Sequence, residues 1–148
     1  MLINTFQTLV HAQPATIWKI LMDRVENPQN YLHGVESARI VERSAGGVVR
    51  EMLWEGKRVR EMILPEENEN RVTHELLEHP IYEGRIITRL VPTSVQNPMA
   101  PVDLQIAVEL ERKSFKVEGL VSTEAELVAD IEKELQFLKA RAEEMERG

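Results

Sequence analysis

Arg50 and Glu61 are the pair of side chains in this sequence best placed to do chemistry. Residues 48–54 and 57–64 both alternate, and Glu55-Gly56 between them is an acidic-to-glycine step that suits a two-residue hairpin turn. Such a turn sets Trp54 opposite Lys57, Met52 opposite Val59, Arg50 opposite Glu61 and Val48 opposite Ile63. Val48, Arg50, Met52, Trp54, Val59, Glu61 and Ile63 then share one face. The other face, with Val49, Glu51, Leu53, Arg58, Arg60, Met62 and Leu64, is less apolar. A guanidinium beside a carboxylate on an apolar wall can anchor a carboxylate, carbonyl or hydroxyl of a ligand. The same two groups can also satisfy one another as a cross-strand ion pair. His74 shares a strand face with Val72 and Leu76, where it can exchange a proton near neutral pH or serve as a hydrogen-bonded wall residue. Tyr82 shares a face with Gly84, Ile86, Thr88 and Leu90; its hydroxyl can meet a ligand or a structural partner.

Other chemistries find no support. Cysteine is absent, which removes disulfides, thiolate nucleophiles and cysteine-bound zinc. The histidines, at 11, 33, 74 and 79, form no HExxH motif and no close pair on a helical face, so no metal is expected. Ala45-Gly46-Gly47 precedes a strand rather than a helix, which is wrong for cradling phosphate, and no GxSxG elbow occurs. No cofactor is expected. A net charge of −7 argues against a broad nucleic-acid surface. Residues 122–148 hold eight acidic and four basic groups, so much of that charge belongs to one segment, and the strand-rich part is close to neutral. No stretch approaches the ~20 apolar residues of a membrane span, and Met1 to Val10 lacks the basic and apolar regions of a signal peptide. The expectation is a cytoplasmic protein that meets neither nucleic acid nor the membrane interior.

The elements that must position these residues are readable in turn. The 148 residues suit a single domain, 1–148, with a core of its own. Leu2–Val10 alternates as a strand. Pro14 opens a helix on which Ile17, Trp18, Ile20, Leu21 and Val25 recur, and Trp18 is expected in the core. Asn27-Pro28 starts a second short helix, with Asn27 as its cap and Gly34 as its stop. Six strands follow, at 35–42, 48–54, 57–64, 71–78, 82–91 and 102–110, and the proline-rich stretch 92–101 is a loop. After Gly119, Thr123 and Glu126 make a capping box. Ala125, Val128, Ile131, Leu135, Leu138, Ala142 and Met145 then form one apolar stripe. Consecutive short strands with helices at the ends argue for an antiparallel sheet covered on one face, an α+β architecture.

The segment His11-Ala12-Gln13-Pro14-Ala15-Thr16-Ile17-Trp18, then Asn27-Pro28, then Leu32-His33-Gly34-Val35 leading into Ile40-Val41, resembles the START-like, or birch-pollen-allergen-like, helix-grip superfamily (SRPBCC). Val25-Glu26-Asn27-Pro28-Gln29 and Gly34-Val35-Glu36-Ser37 are similar to its AtaL-like subgroup, whose function is unknown. The resemblance implies a curved seven-stranded antiparallel sheet wrapped around the long C-terminal helix, two short helices between strands 1 and 2, and an apolar cavity between sheet and helix. Members bind lipids, sterols, polyketides or hormones there; some are aromatase/cyclases and some co-chaperone modules. On that plan Arg50, Met52, Trp54, Val59, Glu61, His74, Tyr82, Ile86, Ile106, Ile131 and Leu135 are the candidates to line the cavity, with Trp54 at its mouth.

Three functions fit. The first is a binding module for a hydrophobic small molecule such as a lipid or polyketide. The second is a polyketide cyclase or dehydrase, using His74, Tyr82 or the Arg50–Glu61 pair. The third is an interaction module docking a partner on the outer sheet face at Leu53, Met62 and Leu64; that face could also join two copies as a homodimer.

Overall fold

The computed structural model describes residues 2–113 and 120–148, apart from the side chains of 120–123. The chain runs β1 (Leu2–Val10), α1 (Pro14–Glu26), a 3-10 turn (Pro28–Asn30), β2 (Val35–Ser44), β3 (Gly47–Trp54), β4 (Lys57–Glu66), a second 3-10 turn (Glu67–Glu69), β5 (Arg71–Glu78), β6 (Tyr82–Pro92), β7 (Val102–Arg112) and α2 (Leu120–Arg147). All seven strands form one antiparallel sheet in the order β1-β7-β6-β5-β4-β3-β2. This is the helix-grip architecture. From β3 to β7 each strand pairs with its predecessor; β1 instead joins β7, from Leu2↔Leu110 to Val10↔Val102, which leaves β2 at the opposite edge.

The β3–β4 hairpin has the expected register, with Arg50 paired to Glu61, Met52 to Val59 and Val48 to Ile63. Its turn needs a left-handed backbone at both positions, and Glu55 (φ 50°) and Gly56 (φ 76°) supply it. Because side chains alternate, the inner face collects Val102, Leu104, Ile106, Val108 and Leu110 from β7, Thr88 and Leu90 from β6, Val72 from β5, and Ile63 from β4, all buried. Gly84 at φ 126° lies where a Cβ would come within 2.1 Å of the Glu109 carbonyl oxygen, so the β6–β7 pair depends on its missing side chain.

Both helices pack on that inner face. On α1, Ile17, Ile20, Leu21 and Val25 are buried as their spacing requires, and Trp18 packs half-buried against the same core. On α2 the buried positions are Ile131, Leu135, Leu138 and Ala142, each large apolar one contributing roughly 1.5–3 kcal/mol. Ala125 and Met145, at the ends of the predicted stripe, are exposed, because the helix outruns the wall it covers. Contacts near its C-terminal end fix α2 in place. Glu143 accepts the backbone N–H of His11 (2.9 Å), Glu146 accepts the Thr16 hydroxyl (2.6 Å), and the Arg141 guanidinium lies 5.2 Å from the Tyr31 ring centre.

Two local expectations need correction. The second helix is a single 3-10 turn; Asn27 occupies its N-cap position as expected, but its side chain makes no capping bond and its amide donates back to Asp23 Oδ1 (2.9 Å). α2 starts at Leu120, upstream of the proposed capping box, so Thr123 falls inside the helix and its side chain lies outside the described residues, as does Gly119.

Candidate functional site

Between the inner sheet face and α2 lies a cavity of about 60 Å³. Its floor is Ile86, Thr88, Ile106 and Leu110, its sides are Leu76 and Leu32, and its roof is Leu127, Asp130, Ile131 and Glu134 of α2. A second recess of about 100 Å³ shares Trp54, His79, Tyr82, Leu127 and Asp130 with the cavity and adds Glu55, Lys57, Val59 and Glu126. These shared side chains form the mouth. Trp54 is held there by its indole N–H, which donates to the His33 carbonyl at 2.7 Å.

The deep end is polar and tightly bonded. Arg50 donates to Glu61 Oε2 (2.7 Å) and, through its other terminal nitrogen, to the carbonyl oxygens of Arg24 and Val25 (3.1 Å each). It thereby ties β3 to the last turn of α1. Glu61 Oε2 also meets His74 Nδ1 at 3.1 Å. Arg24 donates to Glu134 Oε1 (2.9 Å) and to the Thr88 hydroxyl (2.9 Å), and its Nη2 is 3.3 Å from His74 Nε2. Arginine can only donate, so His74 Nε2 is the acceptor and Nδ1 carries the proton given to Glu61. The imidazole is then neutral with both nitrogens engaged.

Burial and the neighbouring charges act on these groups in opposite directions. Burial pushes the His74 pKa down to about 4, against the pull of Glu61. Burial alone would raise Glu61, but Arg50 and His74 outweigh it and hold its carboxyl down at about 2. Burial raises Glu134 despite Arg24, and lowers Arg24 despite Glu134. Formally, two guanidinium groups face two carboxylates. Burying such groups is tolerable only when they are paired in this way.

The mouth has a different character. Among the described residues the buried Tyr82 hydroxyl has no hydrogen-bond partner, and the same holds for the buried Nε–H groups of Arg24 and Arg50 at the deep end. His79 Nδ1 accepts the backbone N–H groups of Ile81 and Tyr82 (3.1 Å each), which leaves the proton on Nε2. Burial takes its pKa down to about 4. Its ring is tilted against that of Tyr82, with centres 5.6 Å apart. Burial and the neighbouring Glu55 raise the Asp130 carboxyl.

Of the residues named from sequence, Arg50, Trp54, Glu61, His74, Tyr82, Ile86, Ile106 and Ile131 lie on the cavity wall. Val59 lines only the outer recess. Met52 and Leu135 point inward but are packed in the interior away from the wall, because the cavity occupies only part of the space between sheet and helix. The sequence reading missed Arg24 and Glu134, which complete the network, and His79 and Asp130 at the mouth. Arg24 follows Ile17 and Ile20/Leu21 at helical spacing, and Glu134 follows Leu127 and Ile131 in the same way. A charged residue on the core stripe of each helix, of opposite sign, was the available signal.

The outer sheet face is laced with charge. Glu51 meets Arg58 (3.0 Å), Arg39 (3.7 Å) and Arg60 (3.8 Å), and Arg85 pairs with Glu109. Leu53 is 38% exposed there, but Met62 and Leu64 are half-buried. Among the described residues no three His, Asp or Glu side chains gather as a metal ion would need, and no helix is long and apolar enough to cross a membrane.

No family model and no curated protein matches this sequence. Solved structures do match. The aromatase/cyclase ZhuI from Streptomyces sp. R1128 superposes with a TM-score of 0.76 at 16% identity, over 96% of this chain and 93% of that one. TTHA0849 from Thermus thermophilus gives 0.74 at 18% identity, over 95% and 97%. The di-domain aromatase/cyclase BexL of the BE-7585A biosynthetic pathway gives 0.74 at 16%, over 97% of this chain and 47% of that one. At such identities the likeness establishes the START-like helix-grip fold; the AtaL-like subgroup is not confirmed.

Proposed function

We propose that this protein binds a small hydrophobic molecule in the cavity between the inner sheet face and α2. The observation that carries the reading is the cavity itself: walls of leucine and isoleucine, one polar end, and a mouth framed by Trp54, Tyr82 and Leu127. Ligand sites have this composition. The volume sets the scale, since a cavity of roughly 150 Å³ accepts benzene. The interior at about 60 Å³, with the adjoining recess at about 100 Å³, suits a single ring in this conformation. A lipid or polyketide chain would require the mouth to part. Native mass spectrometry of the purified protein, followed by titration with the uncharged fluorophore N-phenyl-1-naphthylamine and with one-ring compounds, tests the reading. Saturable binding that perturbs Trp54 and Ile106 supports it. No adduct and no saturable binding of any probe would refute it.

A cyclase or dehydrase reading draws support from the two structural neighbours described as aromatase/cyclases. His74 is a poor candidate for its acid or base, with both nitrogens committed and the Arg50–Glu61 pair closed on itself. Tyr82, His79 and Asp130 at the mouth are the groups with proton capacity to spare, and a general acid must come within about 3 Å of the reacting atom. Dehydration of a β-hydroxy ketone that falls in Tyr82→Phe by far more than the binding of the same ketone does would favour this reading over simple carriage.

A further inference from the structure

We infer that the ligand is uncharged and presents a hydrogen-bond acceptor to the Tyr82 hydroxyl. This rests on the binding function proposed above and specifies the chemistry it selects. Among the described residues, three polar atoms on the cavity-lining side chains are buried without a partner: Tyr82 Oη, Arg24 Nε and Arg50 Nε. Every one of them has a hydrogen to give. Tyr82 is only 3% exposed and lies on the wall of both the cavity and the outer recess, so a bound molecule must pass it and can satisfy it. Buried polar groups are nearly always bonded in native proteins, and an orphaned donor on a cavity wall asks for an acceptor there.

Charge decides which kind of acceptor. Arg24 and Arg50 are already matched by Glu134 and Glu61, so the deep end holds no surplus cation for a carboxylate to neutralise. The recess sets Asp130 and the neighbouring Glu55 against Lys57, which disfavours an anion on the way in. A cation would give up its hydration at the deep end, where Glu61 and Glu134 are already matched by Arg50 and Arg24 and no surplus anion is left for it. A carbonyl or ether oxygen on an apolar ring meets neither penalty. A molecule with no acceptor would leave Tyr82 unsatisfied.

Four compounds of one size separate these cases: acetophenone, ethylbenzene, benzoate and benzylammonium, titrated by NMR into protein labelled with nitrogen-15 and, at tyrosine Cζ, with carbon-13. Acetophenone is expected to bind best, roughly fivefold tighter than ethylbenzene, the worth of one hydrogen bond between uncharged groups. Benzoate and benzylammonium should bind at least tenfold more weakly than acetophenone. Tyr82→Phe should erase the advantage of acetophenone and leave ethylbenzene within twofold. In the unmutated protein the Tyr82 Cζ resonance should shift with acetophenone and not with ethylbenzene, a readout that does not depend on how the variant folds. Benzoate or benzylammonium as the best ligand, or a Tyr82 resonance indifferent to acetophenone, would overturn the inference with the binding function intact. Failure of all four to bind a folded protein would remove the binding function and this inference together.

Discussion

Replacing Glu61 with glutamine tests the network that closes the deep end of the cavity. The substitution keeps the shape and removes one negative charge. Glu61 Oε2 is shared by Arg50 at 2.7 Å and His74 at 3.1 Å, and the carboxylate is 7% exposed. With Glu61 neutral, Arg24 and Arg50 face Glu134 alone, so the interior gains one uncompensated cation. Two unit charges about 4 Å apart interact by ~4 kcal/mol at an effective dielectric of 20. Breaking buried pairs from one side costs about 3–5 kcal/mol. For a domain of this length each kcal/mol moves Tm by roughly 3 °C, so the variant should melt about 10–15 °C lower. Urea unfolding followed by circular dichroism at pH 7 measures the free energy directly. The double variant Arg50→Met, Glu61→Met, which removes both charges, should lose less than the sum of its single variants. A Glu61→Gln loss below about 1 kcal/mol, the range of an exposed pair, would refute the buried network and the inward orientation of Glu61.

Acid should unfold the protein in two stages. His74 and His79 titrate at about 4 in the fold against an ordinary value of 6.5, so the unfolded chain binds more protons between those values and stability falls as pH drops from about 6.5 to about 4. Glu61, at about 2 against 4.5, adds a further loss from about 4.5 down to about 2, while Glu134, raised in the fold, acts in the opposite sense. Urea midpoints across pH 3–8 check this; a flat profile between pH 6.5 and 4 would refute the neutral buried His74. Arg24→Lys leaves one nitrogen where the guanidinium reaches Glu134, Thr88 and His74, and should cost about 2–4 kcal/mol by the same assay. Gly84→Ala drives a Cβ toward the Glu109 carbonyl at φ 126° and should loosen the β6–β7 pair, seen as faster amide exchange at Arg85 and Glu109.

The sequence made the sheet legible because strand alternation and the Glu55-Gly56 turn leave little freedom in register. Moving Arg50 by one residue would have turned Val48, Met52 and Trp54 outward with it. Contacts made by helices were harder to read. Nothing in α1 by itself says that Arg24 meets Thr88 and His74, sixty-four and fifty residues further on; only the place of a charge on an apolar stripe hints at burial. The line between cavity wall and filled core was not legible either. Met52 and Leu135 obey the same inward pattern as Ile106 and Ile131, and only the packing of α2 across the sheet separates them.

The displaced position of β1 has a consequence for the chain as it leaves the ribosome. Strands β2 to β7 each pair with the strand next to them in the chain, but β1 pairs with β7, about a hundred residues later. At roughly 5–20 residues per second the first strand waits about 5–20 seconds for its partner. Arg24 waits longer still for Glu134. During that interval Ile3 and Leu9, which remain exposed even in the finished sheet, belong to a strand with both edges open. Moving β1 to follow β7 by circular permutation would remove the delay, and a higher soluble yield at raised temperature would show that the delay matters.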